Sequence, residues 1–322
     1  MVSLKGLIIQ KWRKQYPSKM FFVFMQSKIV ELKEKGKENT AKKYEVTLRC
    51  FSSFRKMKDV SMEQLTSKEL KLFEEYLIRR GVVMNTISFY MRILRAVYNR
   101  AINESIIPPG NPFKQVYTGV AKTQKRAVDE NVIRELQRIT LKSTLAFARD
   151  LFLFSFYTRG MSFIDMANLK KKDVSNDIIS YCRSKTGQQI SIGLEPCMKE
   201  IIKRYVNETN ETDFIFPILY KTGQQIKYET AIRSQNHRLK IISAQLKLSK
   251  ALTTYTARHT WATIARNKGI PLPVISEGMG HTSEQTTRIY LASLNHTLID
   301  QANRKIIGKT SKTKGVTTKA LK

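Results

Sequence analysis

His281 and Tyr290 stand nine positions apart near the end of the chain, and Arg258 and His259 precede them. An imidazole, a guanidinium and a late phenol are the groups needed to attack a phosphodiester. The diester carries a full negative charge, and its pentacoordinate transition state gathers more on the non-bridging oxygens. Arginine meets this need with a planar fork that donates two parallel hydrogen bonds and never deprotonates. A Lys or His can protonate the leaving 5′ oxygen. A phenol, with a pKa of about 10, becomes a nucleophile once a partner removes its proton or stabilises the phenolate.

The composition suits such a substrate. The chain has 322 residues, and its 57 Lys and Arg outnumber 26 acidic residues to give a net charge of +31. That excess runs along the whole length. It points to a polyanion, with nucleic acid ahead of a membrane surface. The apolar runs 20–25 and 151–157 are too short to span a bilayer. The first leads into charged residues with no small-residue cleavage site, unlike a secretory signal. Cys50, Cys182 and Cys197 are scattered and odd in number, which reads as reduced cytoplasmic thiols. There is no Gly-rich phosphate loop, Rossmann fingerprint or zinc-finger spacing, so neither a nucleotide cofactor nor a metal is expected.

The elements that must position these residues fall into two groups. Residues 1–19 form a basic arm. From 20 to 107 the pattern is helical. One helix follows an N-cap signal at Asn39-Thr40, a second runs from Ser67 to a stop at Gly81, and a third starts at Asn85-Thr86. Its exposed face carries Arg92, Arg95 and Arg100. The Pro- and Gly-rich segment after Ile107 breaks the pattern, and 108–126 reads as an interdomain linker. A second domain is expected over 127–308. Asp129 and Ser143 are read as helix caps, the latter for an apolar helix to Tyr157. Ile178–Arg183 and Gln189–Leu194 read as a hairpin with Gly187 in its turn. Pro196 opens a helix, and 213–217 is a short extended piece. Further helices are expected near 229–247, 256–268, 271–277 and 283–293. The Lys/Thr-rich residues 309–322 read as a disordered tail. The fold class is mainly α with a small β-sheet: an all-α N-terminal domain and a mixed α+β C-terminal domain.

Arg258 to Thr263, Gly278 to His281 and Thr287 to Tyr290 resemble the C-terminal boxes of the tyrosine recombinases, the phage-integrase family. Tyr157 to Asp165 resembles that family's first arginine box, in wording similar to Bacteroides-type mobile-element integrases. Lys185-Thr186-Gly187 matches its β-hairpin lysine. The resemblance covers nearly the whole chain and implies a core-binding domain followed by a catalytic domain. It implies that Tyr290 attacks the scissile phosphate to form a 3′-phosphotyrosyl link, that Arg258 holds the non-bridging oxygens, that Lys185 protonates the leaving oxygen, and that His281 assists. It also implies a cytoplasmic, nucleoid-associated bacterial integrase working on double-stranded DNA as a homo-tetramer on two recombination sites, with a host DNA-bending protein as a further partner. Thr282 and Gln285 form a capping-box pattern that would start the Tyr290 helix.

Two departures stand out. Where the family has its first arginine, this chain has Ser162. Arg159 lies one helical turn earlier, and is expected to supply the missing guanidinium. Where the family has a histidine three residues before the second arginine, this chain has Tyr255, a phenol that can still hydrogen-bond. Asp165 is read either as orienting an arginine by a salt bridge or as a plain surface carboxylate. His259 is read as a helix residue packing within the domain, and His237 and His296 as surface groups. Alternatives within the family are a DNA invertase or a dimer-resolving recombinase. Outside it stand a non-catalytic DNA-binding protein with the recombinase fold and a type IB topoisomerase.

Overall fold

The computed structural model describes residues 19–121, 127–221, 223–281 and 283–290, with the backbone alone for Lys221, Thr286, Ile289 and Tyr290. The arm, the tail and the Thr282 half of the capping box lie outside the described residues. The chain divides into two compact units, 1–123 and 124–322.

The first unit holds helices α1 (Phe21–Glu34), α2 (Glu38–Phe54), α3 (Ser67–Arg79) and α4 (Met84–Asn103). Helix α1 buries Phe21, Phe24, Met25 and Ile29, one stripe at helical spacing. Phe51 of α2 lies at the centre, packed edge-on against Phe21, Phe22 and Phe73 and stacked with Phe54. Each such ring, fully buried, contributes about 2–3 kcal/mol. Helix α3 is capped by Thr66, which accepts from the Glu69 amide. Helix α1 has no cap of its own. The Asp59 carboxylate caps it from elsewhere, accepting from Phe22 and Val23 amides. Helix α2 starts at Glu38, ahead of the expected Asn39-Thr40 signal, and α4 starts at Met84 without a side-chain cap.

The expected linker differs most from the structure. Phe113 and Val116 are buried in the first unit's core. Buried Glu74 accepts from the Tyr117 amide, Ser88 donates to Gly119, and Asn85 exchanges two hydrogen bonds with Ala121. The segment 108–121 therefore belongs to the helical unit, because its apolar and backbone groups are satisfied there.

In the second unit, α5 (Glu130–Arg138) and α6 (Ser143–Tyr157) precede the short α7 (Phe163–Ala167). Helix α6 buries every residue from Asp150 to Ser155 and packs against α5, α8 (Pro196–Arg204), α9 (Tyr228–Gln245) and α10 (Thr256–Asn267). Lys142 rather than Ser143 occupies the N-cap of α6, and Asp129 stands at the α5 cap without a side-chain bond. A three-stranded antiparallel sheet runs β1 (Val174–Ser175), β2 (Ile178–Cys182), β3 (Gln189–Gly193). Ile179 pairs with Ile192 and Tyr181 with Ile190, and these four side chains face the core. The sequence does not foresee β1 or the two-residue pair β4 (Tyr220–Lys221) and β5 (Gln224–Gln225). Helix α11 (Leu272–Gly278) packs on α10 through Trp261, Ala262, Ala265, Ile275 and Met279, and α12 (Glu284–Tyr290) follows. No helix among the described residues is long and apolar enough to cross a membrane.

Candidate active site

Arg258 sits in the first turn of α10 with 3% of its surface exposed. The turn after α6 makes its seat. Arg159 and Gly160 there both adopt left-handed backbone, at φ 58° and 79°. A Cβ on Gly160 would lie 2.6 Å from Arg258 Cγ and 2.7 Å from its Cα, so glycine is required for α10 to come this close. Arg258 Nη1 donates to Gly160 O at 2.8 Å, and Nη2 donates to Met279 O at 2.5 Å and to His281 Nε2 at 2.9 Å. Its Nε is buried with no hydrogen-bond partner. Burial first, then the charge of Arg183, lowers its pKa to about 10.

His281 follows α11 and its backbone amide donates to Ser276 O. A guanidinium only donates, so Nε2 accepts from Arg258. Nδ1 then carries the proton and donates to Thr287 Oγ1 at 2.7 Å. Burial, then Arg258, Arg183 and Lys185, push its pKa down to about 4. The imidazole is neutral, in a single tautomer. Thr287 is fully buried on α12, three residues before Tyr290. The helix carrying the phenol is thus tied to the histidine. The Tyr290 backbone closes the described part of α12, and its side chain lies outside the described residues.

The β2–β3 hairpin supplies the rest. Its loop is closed by the Arg183 amide donating to Gln188 O, and Lys185 is exposed within it. Asp165 is buried rather than a surface carboxylate, and its charge acts on Arg258 without an ion-pair contact. Its Oδ2 accepts from Ser162 Oγ at 2.6 Å and its Oδ1 from the Ser184 amide at 2.8 Å. It tethers the hairpin to α7 and makes no ion pair with an arginine. Ser162 is the N-cap of α7, accepting also from the Asp165 amide, which is a helix-start role. Arg159 is half-buried, with its stem over Gly278 beside Trp261. Tyr255 is the residue before α10, 37% exposed, and packs edge-on against half-buried His259 at 4.9 Å. The structure thus brings Arg258, His281 and the α12 backbone together, with the hairpin lysine close enough for its charge to reach His281.

The sequence passes over Arg183. It is 7% exposed and its Nη1 donates to Gly280 O at 2.5 Å, next to the Met279 carbonyl that Arg258 holds. Strand alternation was the available signal, since Ile179, Tyr181 and Arg183 share one face. No carboxylate lies within ion-pair distance of Arg159, Arg183 or Arg258 among the described residues. Arg258 and Arg183 are buried with carbonyl and imidazole acceptors, and the only carboxylate charge acting on Arg258 among its main influences is that of Asp165, which is not in contact with it. No cluster of His, Cys, Asp or Glu among the described residues could hold a metal.

Residues 20–118 match the phage integrase SAM-like domain, and residues 126–296 match the phage integrase family. The chain belongs to the phage integrase family. It is by family a tyrosine recombinase, an enzyme of DNA cleavage and rejoining. Relatives include a tyrosine recombinase of Pseudothermotoga lettingae, 22% identical over 83% of this chain and 92% of the relative. Tyrosine recombinase XerC of Oceanobacillus iheyensis is 25% identical over 81% and 88%. Among solved structures, the Tn1549 transposon integrase in complex with a circular intermediate DNA superposes with a TM-score of 0.73 at 18% identity, covering 90% of this chain and all of that one. A lambda integrase tetramer bound to a Holliday junction gives 0.68 at 17% identity, over 86% and 79%. These likenesses fix the two-part fold: a SAM-like helical domain followed by a mainly helical catalytic domain with a small antiparallel sheet.

Proposed function

We propose that the protein is a site-specific DNA recombinase, the integrase of a mobile element, acting through a 3′-phosphotyrosyl intermediate. The anion socket around Arg258 carries this reading: a buried guanidinium with no carboxylate in ion-pair contact among the described residues, donating to a neutral histidine. Tyr290 Oη forms the bond to phosphorus, the bond from phosphorus to the 5′ oxygen breaks, and Lys185 gives that oxygen its proton. Arg258 donates to the non-bridging oxygens as their charge rises. The phosphodiester energy stays in the tyrosyl link, so rejoining needs no nucleotide. The first unit binds DNA, and four copies assemble on two sites, as the lambda integrase does on its junction. Mobile-element integration is favoured by the Tn1549 likeness. Relatives named XerC favour a second reading, a chromosomal recombinase of that type.

The test is denaturing electrophoresis of full-length protein with nicked duplexes carrying the DNA that flanks its own gene. A covalent protein–DNA band is expected, with none from Tyr290→Phe. Wild-type protein that binds these duplexes without a covalent band overturns the reading in favour of a non-catalytic DNA-binding protein. Excision and joining at flanking repeats would mark the element integrase. Resolution of a dimeric replicon without them would mark the chromosomal type.

A further inference from the structure

The chain lacks an arginine at position 162, where a serine caps α7 and holds Asp165. A second guanidinium adds donors to the non-bridging oxygens where charge builds in the transition state. Two arginines stand near enough to be considered, and they differ in what surrounds them.

Arg159 follows α6. Its stem crosses Gly278, with its Cδ 3.6 Å from where a Cβ there would be, on the side of Trp261. Arg183 comes off the end of β2 with Tyr181 on the same face. Its Nη1 and the Nη2 of Arg258 hold the carbonyls of consecutive residues, Gly280 and Met279, in the turn between α11 and His281. The two guanidinium groups are therefore side by side. Arg258 and His281 both sense the charge of Arg183. The buried carboxylate nearby, Asp165, accepts from Ser162 and Ser184 and its charge reaches Arg258; Arg183, 7% exposed, has no carboxylate in ion-pair contact among the described residues. Burying such a group without a partner is costly unless a partner arrives with the substrate. The Asp165 tether to Ser184 sets the hairpin at one depth, and thereby sets both Arg183 and Lys185, two residues further on.

We propose that Arg183 is a catalytic residue, donating to a non-bridging oxygen of the scissile phosphate beside Arg258. Hairpin and helix thus each supply one guanidinium, and Ser162 is released to cap α7. The proposal rests on the recombinase reading above. It assigns to one strand-end loop both an oxyanion donor and the proton donor for the leaving oxygen, so docking of the hairpin arms both at once.

The test compares a phosphodiester with a methylphosphonate at the cleaved bond, mapped first with wild-type protein on the nicked flanking duplexes. The methylphosphonate lacks the charged non-bridging oxygen. Arg183→Ala is expected to lose about 100-fold in covalent-complex formation on the phosphodiester, the usual loss for one oxyanion donor. The deficit relative to wild type should shrink to about tenfold or less on the methylphosphonate. Arg183→Lys, which keeps the charge and stem, carries the same comparison if alanine unfolds the hairpin. Arg159→Ala should show no such substrate-dependent recovery. An equal deficit for Arg183 variants on both substrates would make the residue a structural strut and overturn the proposal. So would charge-dependent recovery confined to Arg159→Ala. Wild-type protein that forms no adduct at all defeats the recombinase reading itself, which keeps the two failures apart.

Discussion

Two clusters in the second unit each gather a pair of arginines and differ in what those arginines touch. Around Asp150, 1% exposed, Arg149 and Arg204 form ion pairs and Tyr205 donates its hydroxyl. Burial, then the adjacent Asp150 charge, pushes the Tyr205 phenol well above its usual pKa and keeps it a donor. Beside His281, Arg258 and Arg183 lie deeper, with backbone carbonyls and an imidazole as acceptors and no carboxylate in ion-pair contact with either among the described residues; the charge of buried Asp165 reaches Arg258 without touching it. The first cluster is complete and serves the fold. The second leaves its guanidinium groups without carboxylate contact among the described residues, an arrangement a phosphate can complete. Burial of arginine alone says nothing about function; the missing counter-charge does.

Removing Asp150 breaks this contrast from the structural side. Asp150→Ala leaves two cations and a phenol facing an empty site, so it should cost about 3 kcal/mol or more in chemical denaturation. Cleavage per folded molecule should stay near wild type. Arg258→Met does the opposite. It removes a desolvated charge that has no anion, so the folding midpoint should move little, while covalent-complex formation falls by about 1,000-fold. If the stability losses came out equal, the distinction between the clusters would fail.

Gly160→Ala tests whether the seat of Arg258 is as tight as it looks. The added methyl meets Arg258 Cα, which is backbone and cannot swing aside, at a φ of 79°. A loss of about 2–3 kcal/mol is expected from overpacking and backbone strain together. Cleavage should fall with it, because α10 must back away from the Gly160 and Met279 carbonyls that Arg258 holds. A variant with full stability and full activity would show that the approach is looser.

What was legible in the sequence follows from how local each signal is. The helix from Ser67 shows in its apolar spacing, and the hairpin in two runs around Lys185-Thr186-Gly187. Arg258, His281 and Tyr290 are marked by their spacing. Asp59 capping α1 and Asp165 gripping Ser184 are tertiary bonds between residues 37 and 19 positions apart, and no local pattern announces them. Phe113 and Val116 are apolar residues inside a Pro- and Gly-rich stretch, so punctuation outweighed burial and 108–121 read as a linker. Arg183 was masked by its charge. A cation at a strand end reads as solvent-facing unless its parity with Ile179 and Tyr181 is followed one residue further.

The smallest expected effect lies in the histidine. Burial and three neighbouring cations hold His281 at a pKa of about 4, below its ordinary 6.5. The folded state resists the proton and the unfolded chain does not. The contribution to stability is therefore full above pH 6.5 and is lost as pH falls from 6.5 toward 4. His281→Gln should flatten the stability curve in that window, by an amount on the order of 1 kcal/mol. Cleavage by wild-type protein should show no inflection near 6.5 from this group, because Nε2 is already an acceptor there. Thr287→Val removes the acceptor of the Nδ1 proton, frees the ring and should lower cleavage about tenfold, with Thr287→Ser restoring it. An inflection at 6.5 that disappears in His281→Gln would mean the imidazole titrates like an exposed one, and that the cations around it are further away than the burial of Arg258 and Arg183 implies.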